Sequence, residues 1–343
     1  MKIGLSLSGL LQHSGTGDMV QRFEDVLDLV RIGRESGFDY IYAGQHYLSH
    51  PYQMMQPLIS LARLSAETKH MDLLSTVLVP LQNPVQMAED IATLDVLTNG
   101  KVIINAALGY REIEYQAFGV DIKDRIALMF ENLDIAKELW SGQKVNYRGR
   151  FNSVQNAYIG VRPVQKPYPR IWLAANGDGM VRRIARYGYT WYLNPHAPFD
   201  TLARQLDQYR EIFDASGHGS PKVIPMSRET FVAKTRDEAI SIARPYLEGK
   251  YATYAQWGQD KALPGDEDFT RPFEELTEGR FIVGSPDDVI TDLKRFENIG
   301  VTHASLRFGW PGTPKQVVKD TIQLAASEVL PHLQDKDDFM EVG

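Results

Sequence analysis

Eight times between residues 2 and 308, a short run of strand character gives way to an amphipathic helical stretch, with no break in composition. The candidate strands are Lys2–Ser8, Tyr40–Ala43, Asp72–Val79, Val102–Leu108, Arg170–Ala175, Thr190–Leu193, Ile224–Thr235 and Thr302–Phe308. Most are apolar on both faces, as strands covered by helices in a parallel sheet must be. Eight such units in 343 residues favour a single (β/α)8 TIM barrel over 1–343, with extended loops at the C-terminal face of its strands. A doubly wound open sheet is the other architecture the alternation allows.

The helical stretches carry their own punctuation. Met19–Ser36 stops at Gly37, Pro84–Leu97 at Asn99-Gly100, and Asp124–Trp140 at Gly142. Ser285-Pro286-Asp287-Asp288 opens a later helix with a capping hydroxyl, a proline in the first turn and acidic residues at the positive end of the dipole. Two segments exceed a minimal barrel. Lys144–Pro169 is rich in Tyr, Gly, Pro and Gln and reads as an insertion before the fifth strand. Gly249–Arg280 joins aromatic Tyr251, Tyr254 and Trp257 to an acidic Pro/Gly stretch, a pattern that suits a lid as well as a plain surface excursion.

Composition narrows the function. A hydrophobic fraction of 43% and a charged fraction of 24% are those of a globular protein with a large core. A net charge of −7, with no dense basic face, argues against a nucleic-acid partner. No apolar run approaches a membrane span, and no cysteine is present for disulfide or thiolate chemistry. The first residues enter a strand pattern directly, without a signal-peptide pattern, so a cytoplasmic location is expected.

In a barrel, chemistry gathers at the C-terminal strand ends. After the fifth strand, Ala175-Asn176-Gly177-Asp178-Gly179-Met180 turns at once into a helix. Such a turn aims free N–H groups at one spot on the positive end of the dipole, which favours a phosphate. The third glycine of a dinucleotide fingerprint is missing, as are the lysine and serine of a P-loop. His46 follows the second strand. Ser75 and Thr76 end the third, where ordinary β-propensity is the plainer reading. Asn105, Ala107 and Leu108 close the fourth, whose small residues would admit a flat ring against the backbone. Arg125 opens the next helix and is placed to meet an anion. No metal-ligand spacing and no nucleophile elbow is present.

Several of these segments, taken in order, resemble the bacterial luciferase-like, flavin-dependent oxidoreductases. They are Gly37-Phe38-Asp39-Tyr40 leading to Gln45-His46, Asn83-Pro84-Val85-Gln86-Met87-Ala88-Glu89-Asp90 with Leu94-Asp95-Val96-Leu97-Thr98-Asn99-Gly100-Lys101, and Leu108-Gly109-Tyr110-Arg111-Glu112 with Ala117-Phe118-Gly119-Val120. Pro163-Val164-Gln165-Lys166-Pro167, Ile282-Val283-Gly284-Ser285-Pro286 and Glu328-Val329-Leu330-Pro331 continue the resemblance. It implies a (β/α)8 barrel and FMN, with a deazaflavin as the alternative cofactor. It also implies that His46 is catalytic, that Asn176, Gly177, Asp178, Gly179 and Met180 with Arg125 hold the phosphate, and that Ala107 and Leu108 flank the ring. At Ser75-Thr76 relatives often carry a non-prolyl cis peptide, a form that costs about 3–4 kcal/mol.

Two positions depart from the pattern. Gln45 stands where an acid usually precedes the histidine, and Leu108 stands where luciferase resembles this segment with an arginine. Without a carboxylate beside it, His46 is expected to act as a neutral base or hydrogen-bond partner; without an arginine at 108, charge support for the phosphate falls to Arg125. The function implied is a monooxygenase using reduced FMN, which a separate flavin reductase could supply, and dioxygen on a small organic substrate. A deazaflavin-dependent hydride transfer and a non-catalytic flavin-binding subunit are the alternatives. A homo-oligomer, commonly a homodimer in such barrels, is the expected assembly.

Overall fold

Strands that are apolar on both faces do not announce which face turns inward, so the architecture rests on how they pair. A computed structural model describes residues 1–334; the expected domain's residues 335–343 lie outside the described residues. The strands are β1 Lys2–Ser6, β2 Gln12–Ser14, β3 Tyr40–Ala43, β4 Tyr52–Met54, β5 Asp72–Leu78, β6 Val102–Ala107, β7 Val145–Arg148, β8 Ser153–Ala157, β9 Arg170–Ala175, β10 Thr190–Leu193, β11 Pro225–Val232, β12 Ile282–Gly284 and β13 His303–Arg307. β1, β3, β5, β6, β9, β10, β11 and β13 pair in parallel around a ring, which closes where Leu193 of β10 meets Met226 of β11. This closed ring of eight is the (β/α)8 barrel, and the open sheet is excluded.

Helices Met19–Glu35, Pro57–Thr68, Pro84–Leu97, Arg125–Trp140, Asp178–Arg186, Phe199–Phe213, Arg236–Gln256 and Lys315–Glu328 follow the barrel strands, and Pro286–Asn298 follows β12. The stop at Asn99-Gly100 works through backbone conformation, because both residues take positive φ (53° and 82°). Ser285 and Asp288 form a reciprocal capping box.

Strand parity sorts the side chains. Tyr40, Tyr42, Leu74, Ile103, Trp172 and Tyr192 form one cluster inside the barrel, whereas Ile41, Leu73, Val77, Ile104, Leu173 and Trp191 pack in the large core beneath the helices. Gly4 of β1 makes room for this filling, since a Cβ there would lie 2.2 Å from the Tyr40 ring. The expected strands Tyr40–Ala43, Arg170–Ala175 and Thr190–Leu193 match the observed ones, and the other five overran their ends by one to three residues. The chain leaves the ladder early at Ser8, which accepts a hydrogen bond from Gly44 N–H, and at Val79-Pro80-Leu81, which tightens into a 3-10 turn.

Two excursions interrupt the alternation. β7 and β8 form an antiparallel hairpin within residues 144–169. The stretch 249–280 begins inside a helix, because Arg236–Gln256 continues through Tyr251 and Tyr254 before the chain turns into irregular structure. β2 and β4 pair as a small antiparallel ribbon beside it, and β12 pairs with the C-terminal end of β11.

Candidate active site

The C-terminal strand ends enclose a cavity of about 510 Å³, within the range of sites that bury a small molecule. His46, Thr76, Asn105, Ala107, Leu108, Arg125, Asn176, Gly177, Gly179 and Met180 all line it. Ser75 and Asp178 do not. Parity turns Thr76 inward, where its Oγ1 meets Tyr42 Oη at 2.9 Å and accepts from Asn105 Nδ2 at 3.0 Å. Ser75, its neighbour, is fully buried on the opposite face of β5. The peptide between them is trans, and the cis bonds among the described residues precede Pro51 and Pro167. Asp178 turns from the cavity toward Arg204, whose guanidinium donates to both carboxylate oxygens at 2.9 and 3.0 Å; that pairing holds the Asp178 carboxyl below its ordinary range.

The phosphate turn keeps its open character in three dimensions. Gly177 is the N-cap of helix Asp178–Arg186 and offers no side chain to cap it, so the first helical N–H groups are left for another acceptor. A Cβ at Gly177 would meet nothing within 4 Å, so the space above the helix end is free. Arg125 lines the same cavity while donating to the Ile122 carbonyl at 2.7 Å. Lys261, from the long excursion, also lines the cavity, with its Nζ 3.5 Å from Asp260 Oδ2. A dianionic phosphate fits this donor set. Between this end and the opposite wall, Ala107, Ala174 and Ala175 leave a shallow surface, and Asn105 Oδ1 is buried with no partner among the described residues. A flat heterocycle with N–H groups fits there.

His46 does have a carboxylate neighbour. Its Nδ1 lies 3.2 Å from Glu114 Oε1, a fully buried oxygen that also accepts from Tyr47 N–H at 2.8 Å. Arg111 braces the pair, with Nη1 3.6 Å from Glu114 Oε1 and Nη1 and Nη2 donating to the carbonyls of Tyr47 and Leu48. With Glu114 as acceptor, Nδ1 carries the ring proton and Nε2 presents a lone pair. This corrects the expectation that His46 lacks acidic support. Gln45 cannot substitute for Glu114, because its Oε1 accepts from Leu78 N–H at 2.8 Å and its Nε2 is 3.0 Å from Tyr47 Oη. Both ends of the amide are engaged in holding β5 to the loop, and a carboxylate could not donate there.

Aromatic rings box the histidine. Tyr110, Tyr254 and Trp257 stand edge-on to it at 5.6, 6.3 and 5.4 Å between centroids. Arg111 stacks on Trp257 at 4.1 Å, tying the excursion to the catalytic wall. Burial pushes the Tyr254 phenol up to about 12 and that of Tyr110 well above its ordinary value, so both remain neutral.

Sequence reading missed Glu114, Lys261, Asn194, His196 and Arg307, the last four of which also line the cavity. For Arg307 and its neighbours a signal exists. β11 is buried along its whole length yet contains Arg228 and Glu229, and charges in such a strand demand a reason.

Comparison with known proteins follows the same lines. The chain is similar to the oxygenase component of a flavin-dependent trigonelline monooxygenase from Acinetobacter baylyi, at 23% identity over 326 residues, covering 91% of this chain and 90% of that protein. It is also similar to an F420-dependent glucose-6-phosphate dehydrogenase from Amycolatopsis mediterranei, at 22% identity over 301 residues, covering 84% and 89%. Its fold matches the oxygenating constituent of 3,6-diketocamphane monooxygenase from the CAM plasmid of Pseudomonas putida, solved in complex with FMN, with a TM-score of 0.80 at 18% identity over 97% of this chain and 99% of that one. The model of the luciferase-like monooxygenases matches residues 1–303, and this chain belongs to that family.

Proposed function

We propose that this chain is the oxygenase of a flavin-dependent monooxygenase, which takes reduced FMN from a separate reductase and uses it with dioxygen to oxygenate a small organic substrate. One observation carries this reading: a phosphate-type helix end and His46, backed by the buried Glu114, face the same cavity. Once bound, the reduced flavin supplies the electrons for dioxygen activation. The remaining work belongs to the chain. Asn176, Gly177 and Gly179, with Arg125 and Lys261, would hold the phosphate. Thr76, Asn105, Ala107, Leu108 and Met180 would flank the ring. The aromatic box excludes water around the reacting groups, and His46 Nε2 holds or moves a proton while Glu114 fixes the imidazole.

The test is oxygen uptake by the purified chain supplied with enzymatically reduced FMN, with parallel fluorescence titrations of FMN and F420. The expected result is saturable FMN binding and oxygen uptake that rises with an accepted substrate. Failure to bind FMN in either redox state would sink the reading. The similarity to an F420-dependent dehydrogenase supports a second reading, hydride transfer with a deazaflavin and His46 as the proton relay. Selective binding of F420 would establish that one instead. A non-catalytic flavin-binding subunit would require His46→Ala to leave all flavin-dependent turnover unchanged. A homodimer in the cytoplasm belongs to the same proposal, and light scattering and cell fractionation test it.

A further inference from the structure

Opposite the cofactor-like end, the barrel buries more positive charge than it neutralises. Glu229 and Arg307 are register partners at the inward top of β11 and β13. Glu229 accepts from Arg307 Nη1 at 2.9 Å, from Trp310 Nε1 at 2.6 Å and from Lys250 Nζ. On the outer face of β11, Arg228 gives one hydrogen bond to the Asn194 carbonyl at 3.1 Å and lies 4.6 Å from the Phe296 ring, leaving Nε and Nη2 without partners among the described residues. Arg280, nearby, has its own acid in Glu267 at 2.8 Å. Two buried cations, Arg307 and Lys250, therefore share the Glu229 carboxylate, and Arg228 on the other face of the strand has no acid of its own among the described residues. Burial lowers Lys250 to about 7, but Arg228 and Arg307 alone still outnumber Glu229.

Arg307 and Asn194, which line the cavity, have donors left over as well. Arg307 spends Nη1 on Glu229, and its Nε is buried with no partner among the described residues. Asn194, whose Oδ1 accepts from the N–H groups of His196 and Ala197, leaves Nδ2 buried and unpartnered among the described residues. His196 sits between them with Nδ1 at 3.1 Å from Tyr251 Oη, and burial, then the charges of Lys250 and Arg307, keep it far below its ordinary value and neutral. Arg307, Asn194 and His196 all line the same cavity. Each orphaned donor is costly, and a surplus buried charge costs more. An anion completing the wall would pair the Arg307 and Asn194 donors and offset the surplus charge.

We propose that Arg307 and Asn194 form a carboxylate subsite, and that the substrate is a small organic acid whose apolar body lies among Tyr110, Tyr254 and His46. In the ring order of strands, β13 lies across the barrel from β6, which leads to Arg125, so the anion met here is distinct from the cofactor phosphate. A planar guanidinium with free donors matches the two oxygens of a carboxylate. The proposal rests on the flavin reading insofar as that reading leaves this wall to the substrate.

Calorimetric titration of the full chain, FMN-free and FMN-saturated, with benzoate, hexanoate and their amides tests it, alongside fluorescence titration with FMN. Benzoate or hexanoate is expected to bind roughly tenfold or more tightly than its amide. Arg307→Gln is expected to abolish that preference while FMN affinity stays within about twofold. Equal binding of acid and amide by the unaltered protein, or no binding of either acid at millimolar concentration, overturns the subsite even if the variant does not fold. Retention of the preference in Arg307→Gln overturns it as well, as does loss of FMN in place of benzoate, which assigns the charge to the cofactor. If FMN itself does not bind, the cofactor reading falls, and the acid-over-amide preference still decides the subsite.

Discussion

Glu114 does for His46 what the residue before the histidine was expected to do, from a position 68 residues away in sequence. Because it is fully buried and receives Tyr47 N–H on the oxygen that faces the ring, it fixes both the tautomer and the orientation of the imidazole. Replacing His46 with Gln is expected to lower kcat by about 10²–10³, in the range of a lost general acid or base. Glu114→Gln is expected to cost somewhat less, and the double variant should be no slower than His46→Gln alone, because the two residues act as one unit. Steady-state kinetics of the four proteins check this, and additive losses would show that Glu114 serves something other than His46. Leu108 offers the converse test. It lines the cavity without charge where luciferase resembles this segment with an arginine, so Leu108→Arg is expected to tighten FMN binding roughly ten- to thirtyfold through a charge-assisted contact. The gain should shrink as salt is raised, and an unchanged dissociation constant would place the phosphate elsewhere.

At the scale of elements, the helix Asp178–Arg186 carries a conflict between stability and binding. Its N-cap, Gly177, has an ordinary φ of −86° and open space where a Cβ would stand, so conformation does not demand glycine there. An aspartate would cap the helix and meet the dipole, adding about 0.5–1 kcal/mol. The same carboxylate would occupy the free N–H groups and repel a phosphate. Gly177→Asp is therefore expected to raise Tm by about 1 °C while weakening FMN binding about a hundredfold or more, read by calorimetry and flavin fluorescence. A variant that is more stable and still binds FMN normally would remove the helix end from the cofactor site.

At the scale of the whole molecule, ring closure decides what the sequence left open. The eight strands and their helices were legible because periodicity and helix stops are local signals. Whether Ser75 or Thr76 points inward is a matter of one-residue parity, which a strand apolar on both faces does not encode. The meeting of His46 with Glu114, and of Glu229 with Arg307 and Lys250, depends on which strand ends close around the cavity, and no local pattern carries that. Closure also traps His303 at the inward base of β13, with its ring 5.5 Å from that of Trp172 and 6.2 Å from that of Tyr40. Burial first, then the nearby Lys2 charge, lowers it to about 4. The unfolded chain takes up this proton near the ordinary histidine value of about 6.5, so between about 6.5 and 4 the unfolded state binds more protons than the folded barrel. Stability contributed by the neutral ring is thus full above that window and is lost as pH falls through it, by about 3 kcal/mol at pH 4. Carboxylates titrate in part of the same range, so the comparison that isolates His303 is with His303→Asn, which cannot take up a proton. Urea unfolding at a series of pH values is expected to give a shallower decline for the variant across that window. Parallel declines for the two proteins would mean that His303 is protonated inside the folded barrel.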